Sequence, residues 1–330
     1  MLIVFISKKN MKAIKVIEDN LVISETPVPL PRDDEVLIKV KAAGINRADI
    51  AQRKGLYPPP AGASEILGLE CSGIIESVGK NVSARQPGDE VIALLGGGGY
   101  GEYVTCPQFH TLYKPASLDW IEAASIPEVY ATCWLNLFME ASMKEGDKVV
   151  FHAGASGIGT AGIQLAKAFG CESFVSAGSE NKIDMCINLG ASDGEVRSRD
   201  IFSKIKSWAP EGVDVILDPV GAEYFESNLN VLGIEGRLVI IGLMSGAQTN
   251  LNLGHLMIKR QKIIGSTIRA RNVETKNIVM KELSQKVLPL FKSGELIPII
   301  HETYPLSESE KAHEIMEANE NIGKIILTLD

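Results

Sequence analysis

The sequence predicts an α/β protein of two modules, a β-rich barrel-like domain and a doubly wound parallel sheet with helices on both faces. Three observations carry this expectation. Residues 11–121 are cut by turn residues into short strand-like runs, and from Trp120 onward short apolar runs alternate with helical segments. A glycine-rich turn, Gly154-Ala-Ser-Gly-Ile-Gly159, stands where one such run meets a helix.

The elements follow in chain order. Met1–Asn10 contain an apolar run of five residues with the basic residues on its C-terminal side, which suits neither a signal segment nor a membrane span; they read as a short extension. Met11–Ile17 opens a strand and Met11 is an alternative start. Glu35–Ala42 alternates as a half-buried strand does, and Cys71–Val78 and Asp89–Leu94 follow. Tyr57-Pro-Pro-Pro60 and Gly96–Gly99 are loops, because proline cannot continue a ladder and four glycines cannot hold a helix.

Ile121–Ile126 and Tyr130–Phe138 have helical spacing. Lys148–Ala153, Phe174–Ala177, Val213–Asp218, Arg237–Gly242 and Ile263–Thr267 are short apolar runs, with a helix Gly157–Phe169 after the first. Ser307–Asn319 is an amphipathic helix and Lys324–Leu329 a final strand.

Composition narrows the classes of function. The chain has 330 residues, 45% hydrophobic, and a net charge of -8 with no block of like charges, so clustered cations for a nucleic acid or an anionic membrane are missing and the expected partner is a small molecule. Five cysteines without CxxC spacing read as free thiols in a reducing, cytoplasmic setting. No HExxH or other close histidine pair offers a metal site.

In the turn, Gly154 and Gly159 take the first and third places of a GxGxxG fingerprint and Ser156 the second, with Gly157 and Ile158 opening the helix. The first glycine permits the tight turn, the third close helix–strand packing, and the helix N-terminus attracts a pyrophosphate. The Ser156 hydroxyl can donate to a phosphate or nicotinamide oxygen. After the second strand come Gly178, Ser179, Glu180 and Lys182. Small residues with Ser179 and Lys182 favour a 2′-phosphate, hence NADPH over NADH; Glu180 is the counterargument, placed past the strand and facing solvent. Arg197 is either a second cation there or a solvated surface residue.

Ala43-Gly-Ile-Asn46-Arg-Ala-Asp49, Ile66-Leu-Gly-Leu-Glu70-Cys-Ser-Gly73, Ala124-Ser-Ile-Pro127, His152–Gly159 and Asn321-Ile-Gly-Lys324-Ile-Ile-Leu together resemble the zinc-free NADPH:quinone oxidoreductases of the medium-chain dehydrogenase/reductase superfamily, the zeta-crystallin relatives. Tyr57–Pro60 and Met316–Gly323 are most similar to the tumour-suppressor-inducible branch. The resemblance implies a GroES-like catalytic domain from residues 1–121 and 288–330 and a Rossmann domain over 122–287. It implies no metal. The zinc enzymes carry a cysteine where Asn46 stands, Gly-His-Glu where Gly68-Leu69-Glu70 stands, and a four-cysteine lobe that this chain lacks.

The implied activity is hydride transfer from NADPH to a quinone, which places negative charge on a carbonyl oxygen; each donor aimed there is worth roughly 3 kcal/mol. Tyr57 is the first candidate donor, its alternative being an aromatic packed on the prolines. Asn46 would orient substrate or the nicotinamide ribose, and Ser156 counts with both the catalytic and the cofactor set. Asp49 either acts in catalysis, fixes Arg47 or caps the next helix. Thr132, Gly242, Leu243, Met244, Asn321, Gly323 and Lys324 match cofactor contacts, and Arg269 or Arg271 either lines the pocket mouth or lies on the surface.

A reductase of enones or enoyl thioesters on the same scaffold, or a nucleotide-binding protein with little turnover, are the alternatives. The resemblance also implies a homodimer through the edge strand near Ile263–Thr267. A short-chain dehydrogenase is excluded because none of the seven tyrosines has a lysine four residues later.

Overall fold

The computed structural model describes residues 9–329. The extension read at residues 1–10 lies outside the described residues through position 8. Lys9 and Asn10 belong to the fold: the Lys9 carbonyl accepts from Val28 N at 2.9 Å and Asn10 opens β1 (Asn10–Ile17).

β1 pairs antiparallel with β2 (Asn20–Pro27) across Glu18 and Asp19, both at positive φ (51° and 66°), the geometry of a type I′ hairpin. Next come β3 (Glu35–Gly44), α1 (Arg47–Arg53), β4 (Glu70–Val78), β5 (Glu90–Leu94), β6 (Tyr103–Pro107) and β7 (Thr111–Tyr113). α2 (Trp120–Ala124) follows, and α3 (Pro127–Cys133) runs into a π-helical turn, Trp134–Glu140.

The parallel-sheet region alternates β8 (Lys148–His152), α4 (Gly157–Ala168), β9 (Glu172–Ala177), α5 (Glu180–Leu189), β10 (Asp193–Val196), α6 (Ile201–Trp208), β11 (Val213–Asp218), α7 (Ala222–Val231) and β12 (Leu232–Ile240), then α8 (Leu253–Lys259) and β13 (Lys262–Gly265). The chain ends through α9 (Val273–Glu282), a π-helical turn Leu283–Val287, α10 (Leu288–Ser293), β14 (Ile300–Pro305), α11 (Ser309–Glu317) and β15 (Lys324–Thr328).

The residues form two compact units. One runs up to Glu128 and takes in Arg269–Lys292 and the chain from Pro298; the other comprises Val129–Ile268 and Ser293–Ile297. The first holds the sheet β14-β15-β3-β4-β5-β7, with β6 pairing the first half of β3 on the edge whose far end takes β15. Val36, Ile38, Leu67, Ile75, Val91 and Ile325 fill its core. This is the GroES-like domain.

In the second unit every pairing is parallel, in the order β10-β9-β8-β11-β12-β13. Numbered along the chain this is 3-2-1-4-5-6, the Rossmann order, whose reversal falls between β8 and β11. Val150, Phe174, Ile216 and Leu238 of the strands pack with Ile205 and Leu229 of the helices.

The unit boundaries depart from those expected at 121/122 and 287/288. Ser72 Oγ donates to the Trp120 carbonyl at 2.6 Å, so α2 packs on the first unit. The residues just after β13 belong there as well: Arg269 donates to the Gly96 carbonyl, and its own carbonyl accepts from Lys276 Nζ. Among the described residues no helix is long and apolar enough to cross a membrane.

Candidate active site

β8 ends at His152, the chain turns, and α4 begins at Gly157 with Ser156 as N-cap. Ser156 Oγ accepts from Gly159 N at 3.1 Å, which leaves the hydroxyl hydrogen to donate to a ligand. A Cβ on Gly159 would stand 2.3 Å from the Gly154 carbonyl oxygen, and one on Gly154 2.7 Å from Val175 Cβ. Side chains there would force the turn away from the helix end, where Gly157 and Ile158 supply first-turn N–H groups suited to a pyrophosphate. The turn therefore fits a dinucleotide.

β9 closes at Ala177, Gly178 follows, and Ser179 is the N-cap of α5 although its side chain makes no capping bond; Lys182 is in the first turn. Arg197 Nη2 lies 3.8 Å from the point a Gly178 Cβ would occupy, so a cation stands beside the tip of β9. Glu180, exposed at the start of α5, is paired with Arg199 at 2.6 Å. Its carboxylate already has a cation.

Gly242, Leu243 and Met244 follow β12, with Leu243 and Met244 exposed. Their loop is latched to the turn after β11: Met244 N donates to the Pro219 carbonyl at 3.2 Å and Ser245 N to that of Val220 at 2.8 Å. Thr132 is buried near the end of α3, its carbonyl accepting from Asn136 Nδ2 at 2.8 Å.

In the first unit the structure brings Asn46 and Lys324 together around a residue not singled out as functional, Glu70. Lys324 Nζ reaches Glu70 Oε1 at 2.7 Å, Asn46 Oδ1 at 2.6 Å and the Ile45 carbonyl at 2.7 Å, which engages all three ammonium donors. Asn46 Nδ2 donates to Glu70 Oε1 at 3.0 Å, and Glu70 Oε2 accepts from Glu128 N at 2.8 Å. Glu70 is fully buried, Lys324 4% and Asn46 7% exposed. Asn321, on the loop before β15, donates from Nδ2 to the Gly323 carbonyl at 2.8 Å.

Asp49 is not tied to Arg47, which reaches Asn319 Oδ1 at 2.7 Å. The Asp49 carboxylate accepts from Asn46 N at 2.8 Å and Gly68 N at 2.9 Å, joining the start of α1 to the loop before β4. Burial pushes its pKa up to about 6, against the pull of those two N–H groups and of Lys324 and Arg269. Tyr100 Oη contacts both Asp49 Oδ2 (3.3 Å) and His313 Nε2 (3.1 Å).

Arg269 is neither a surface residue nor at a pocket mouth by virtue of a free head group. It is 4% exposed and donates to the Gly96 carbonyl (2.9 Å), Gln52 Oε1 (2.6 Å) and the Tyr57 carbonyl (3.3 Å). Its guanidinium carbon stands 5.3 Å from the centre of the half-buried Tyr57 ring, so the Tyr57 loop is held by a cation as well as by its prolines. Glu70 lay inside a quoted motif, and only the three-dimensional pairing with Lys324, 254 positions away, marks it.

A model for the alcohol dehydrogenase GroES-like domain matches residues 32–116, and one for zinc-binding dehydrogenases matches residues 157–285. The residues around Asn46 do not fit a zinc ion: Asn46 and Leu69 offer no thiolate or imidazole, and the Glu70 carboxylate is paired with Lys324. Among the described residues no three His, Cys, Asp or Glu side chains group closely enough to hold a metal.

The quinone oxidoreductase of Homo sapiens is 32% identical over 311 residues, 93% of this chain and 92% of that protein. A synaptic vesicle membrane protein VAT-1 homolog of Danio rerio is 30% identical over 319 residues, 92% of this chain, and the chain spans 66% of its length. Among solved structures, a mycobacterial protein complexed with NADPH superposes with a TM-score of 0.87 at 26% identity, covering 97% of this chain and 100% of that one. The CurK enoyl reductase does so with a TM-score of 0.84 at 29% identity, covering 98% and 100%. With this extent of identity along nearly the whole length, the chain belongs to the quinone oxidoreductases of the medium-chain dehydrogenase/reductase superfamily.

Proposed function

We propose that the protein reduces quinones with NADPH. The observation that carries the cofactor half is the meeting of Gly178, Ser179 and Arg197 at the tip of β9, where an adenosine 2′-phosphate would find a hydroxyl and a guanidinium and no unpaired carboxylate. Lys182 adds charge in the same helical turn. Gly154–Gly159 hold the pyrophosphate, and Thr132 and Gly242–Met244 of the same unit complete its nucleotide contacts. A bound NADPH supplies the hydride.

The chain's own part is to hold substrate and to stabilise charge on its oxygen. Tyr57 donates a hydrogen bond to the carbonyl oxygen, from a loop that Arg269 keeps in place. Asn46 has one lone pair on Oδ1 left to orient a ligand hydroxyl, its other polar capacity being used by Glu70, Lys324 and, at 3.4 Å, the Gly44 carbonyl. Lys324 acts by fixing Asn46, since its three donors are taken.

Reduction of α,β-unsaturated carbonyls is the second reading, favoured by the likeness to an enoyl reductase. NADPH oxidation measured with ortho- and para-quinones and with a crotonyl thioester separates the two. A larger kcat/KM for quinones supports the first, a larger value for the thioester the second, and tight NADPH binding without turnover defeats both. The edge position of β13 suits pairing with a second copy in a homodimer, which light scattering on the purified protein tests.

A further inference from the structure

His152 and Asp218 are the last residues of β8 and β11, the two neighbouring strands at which the order of the parallel sheet reverses. In an open sheet that reversal forms the crevice a ligand enters. Both side chains are buried, as is Asn228 of α7. His152 Nε2 lies 2.7 Å from Asn228 Oδ1, Asn228 Nδ2 donates to Asp218 Oδ2 at 3.1 Å, and His152 Nδ1 lies 3.0 Å from Ser176 Oγ.

One arrangement of hydrogens satisfies this chain. The Asp218 carboxylate can only accept, so the Asn228 amide turns its NH2 toward it and its oxygen toward the ring; Nε2 of His152 therefore carries the hydrogen and Nδ1 accepts from the Ser176 hydroxyl. Burial, which draws the His152 pKa down to about 4, keeps the ring neutral as the arrangement requires. Beyond Asn228, Asp218 Oδ1 accepts from Val220 N at 2.6 Å and Gly221 N at 3.3 Å. The turn so fixed is the one to which Met244 and Ser245 are latched, and Ser245 Oγ fastens it a second time, donating to the Val220 carbonyl at 2.8 Å. An apolar core would fill the same space. A directional chain also sets the angle of the turn, because each hydrogen bond allows one orientation of the next group.

We propose that His152, Asn228 and Asp218 are positioning residues that hold the Gly242–Met244 loop in place for the dinucleotide. The proposal rests on the reading of the protein as an NADPH-binding reductase and adds residues that do not touch the cofactor. The test is titration of NADPH into full-length variants, with kcat and KM for NADPH measured alongside. His152→Leu is expected to weaken NADPH about tenfold, the effect of losing one buried hydrogen bond, with KM rising in step and kcat falling less than about twofold.

His152→Gln, whose amide can still donate to Asn228, is expected to restore affinity to within about threefold of the wild type. Ile205→Ala, a cavity in the same core away from the chain, is expected to lower thermal stability and leave NADPH affinity unchanged. Unchanged affinity in a folded His152→Leu, or the same affinity loss in Ile205→Ala, overturns the proposal. Should His152→Leu not fold, Ser176→Ala decides: a loss of about threefold supports the proposal and no loss overturns it. A wild-type protein that does not bind NADPH overturns the functional reading itself, and so the two failures are distinct.

Discussion

Replacing Lys324 by methionine removes one partner of a buried ion pair and leaves the Glu70 carboxylate, fully buried, without its cation. Breaking such a pair from one side costs about 3–5 kcal/mol, because the remaining charge cannot regain its hydration. Glu70 keeps Asn46 Nδ2 on one oxygen and Glu128 N on the other, which places the expected loss at the lower end, about 3 kcal/mol. For a folding unit of this size that corresponds to a fall of roughly 6–12 °C in Tm.

Combining Lys324→Met with Glu70→Gln removes the uncompensated charge, so the double variant is expected to recover at least about 1.5 kcal/mol of the loss despite carrying two changes. Thermal and urea unfolding of the wild type, both single variants and the double variant, followed by circular dichroism, complete the cycle. A loss below about 1 kcal/mol in Lys324→Met, or strictly additive losses, would refute the claim that Glu70 and Lys324 form one buried charge network.

Arg197→Ala is expected to weaken NADPH by about 10- to 100-fold and to leave NADH affinity nearly unchanged, read from kcat/KM with each nucleotide. Arg269→Lys keeps the charge but cannot reproduce a fork shared by Gly96, Gln52 and Tyr57; a loss of about 1–2 kcal/mol in unfolding free energy and a lower kcat are expected. Stability is expected to fall on acidification from pH 6 to 4.5. Burial lowers His110, His152 and His313 to about 4 and raises Asp49 and Asp218 to about 6. In this window the unfolded chain binds three protons on the histidines and the folded one binds two on the aspartates, a difference of one, so unfolding free energy drops by about 1.4 kcal/mol per pH unit. A flat or rising profile in urea titrations across that range would contradict the burial of neutral histidines.

The Rossmann half was readable because a parallel sheet covered on both faces writes its strands as short apolar runs; β11 matches the expected run residue for residue. What escaped has local causes. The turn of the first hairpin has no glycine: Asp19 tolerates positive φ but Glu18 does not announce it, so the local signal is weak. β12 begins at Leu232, five residues before the expected start, since Gly233 and Gly236 and the positive φ of Glu235 mask the strand pattern. The glycine turn was legible because close approach admits no other residue at Gly159. The Glu70–Lys324 pair and the His152–Asn228–Asp218 chain were not, because a buried charge or imidazole is defined by partners brought together only by the fold. Arg269 stayed open between a pocket mouth and the surface for the same reason.

The central claim, that the protein passes reducing equivalents from NADPH to a quinone, meets its most direct test in a single turnover. NADPH-loaded protein is mixed with a quinone and both nucleotide and quinone are followed. One NADPH oxidised and one quinone reduced per bound nucleotide is the expected result, slowed about 100-fold in Tyr57→Phe. NADPH that binds and stays reduced beside every quinone would contradict it.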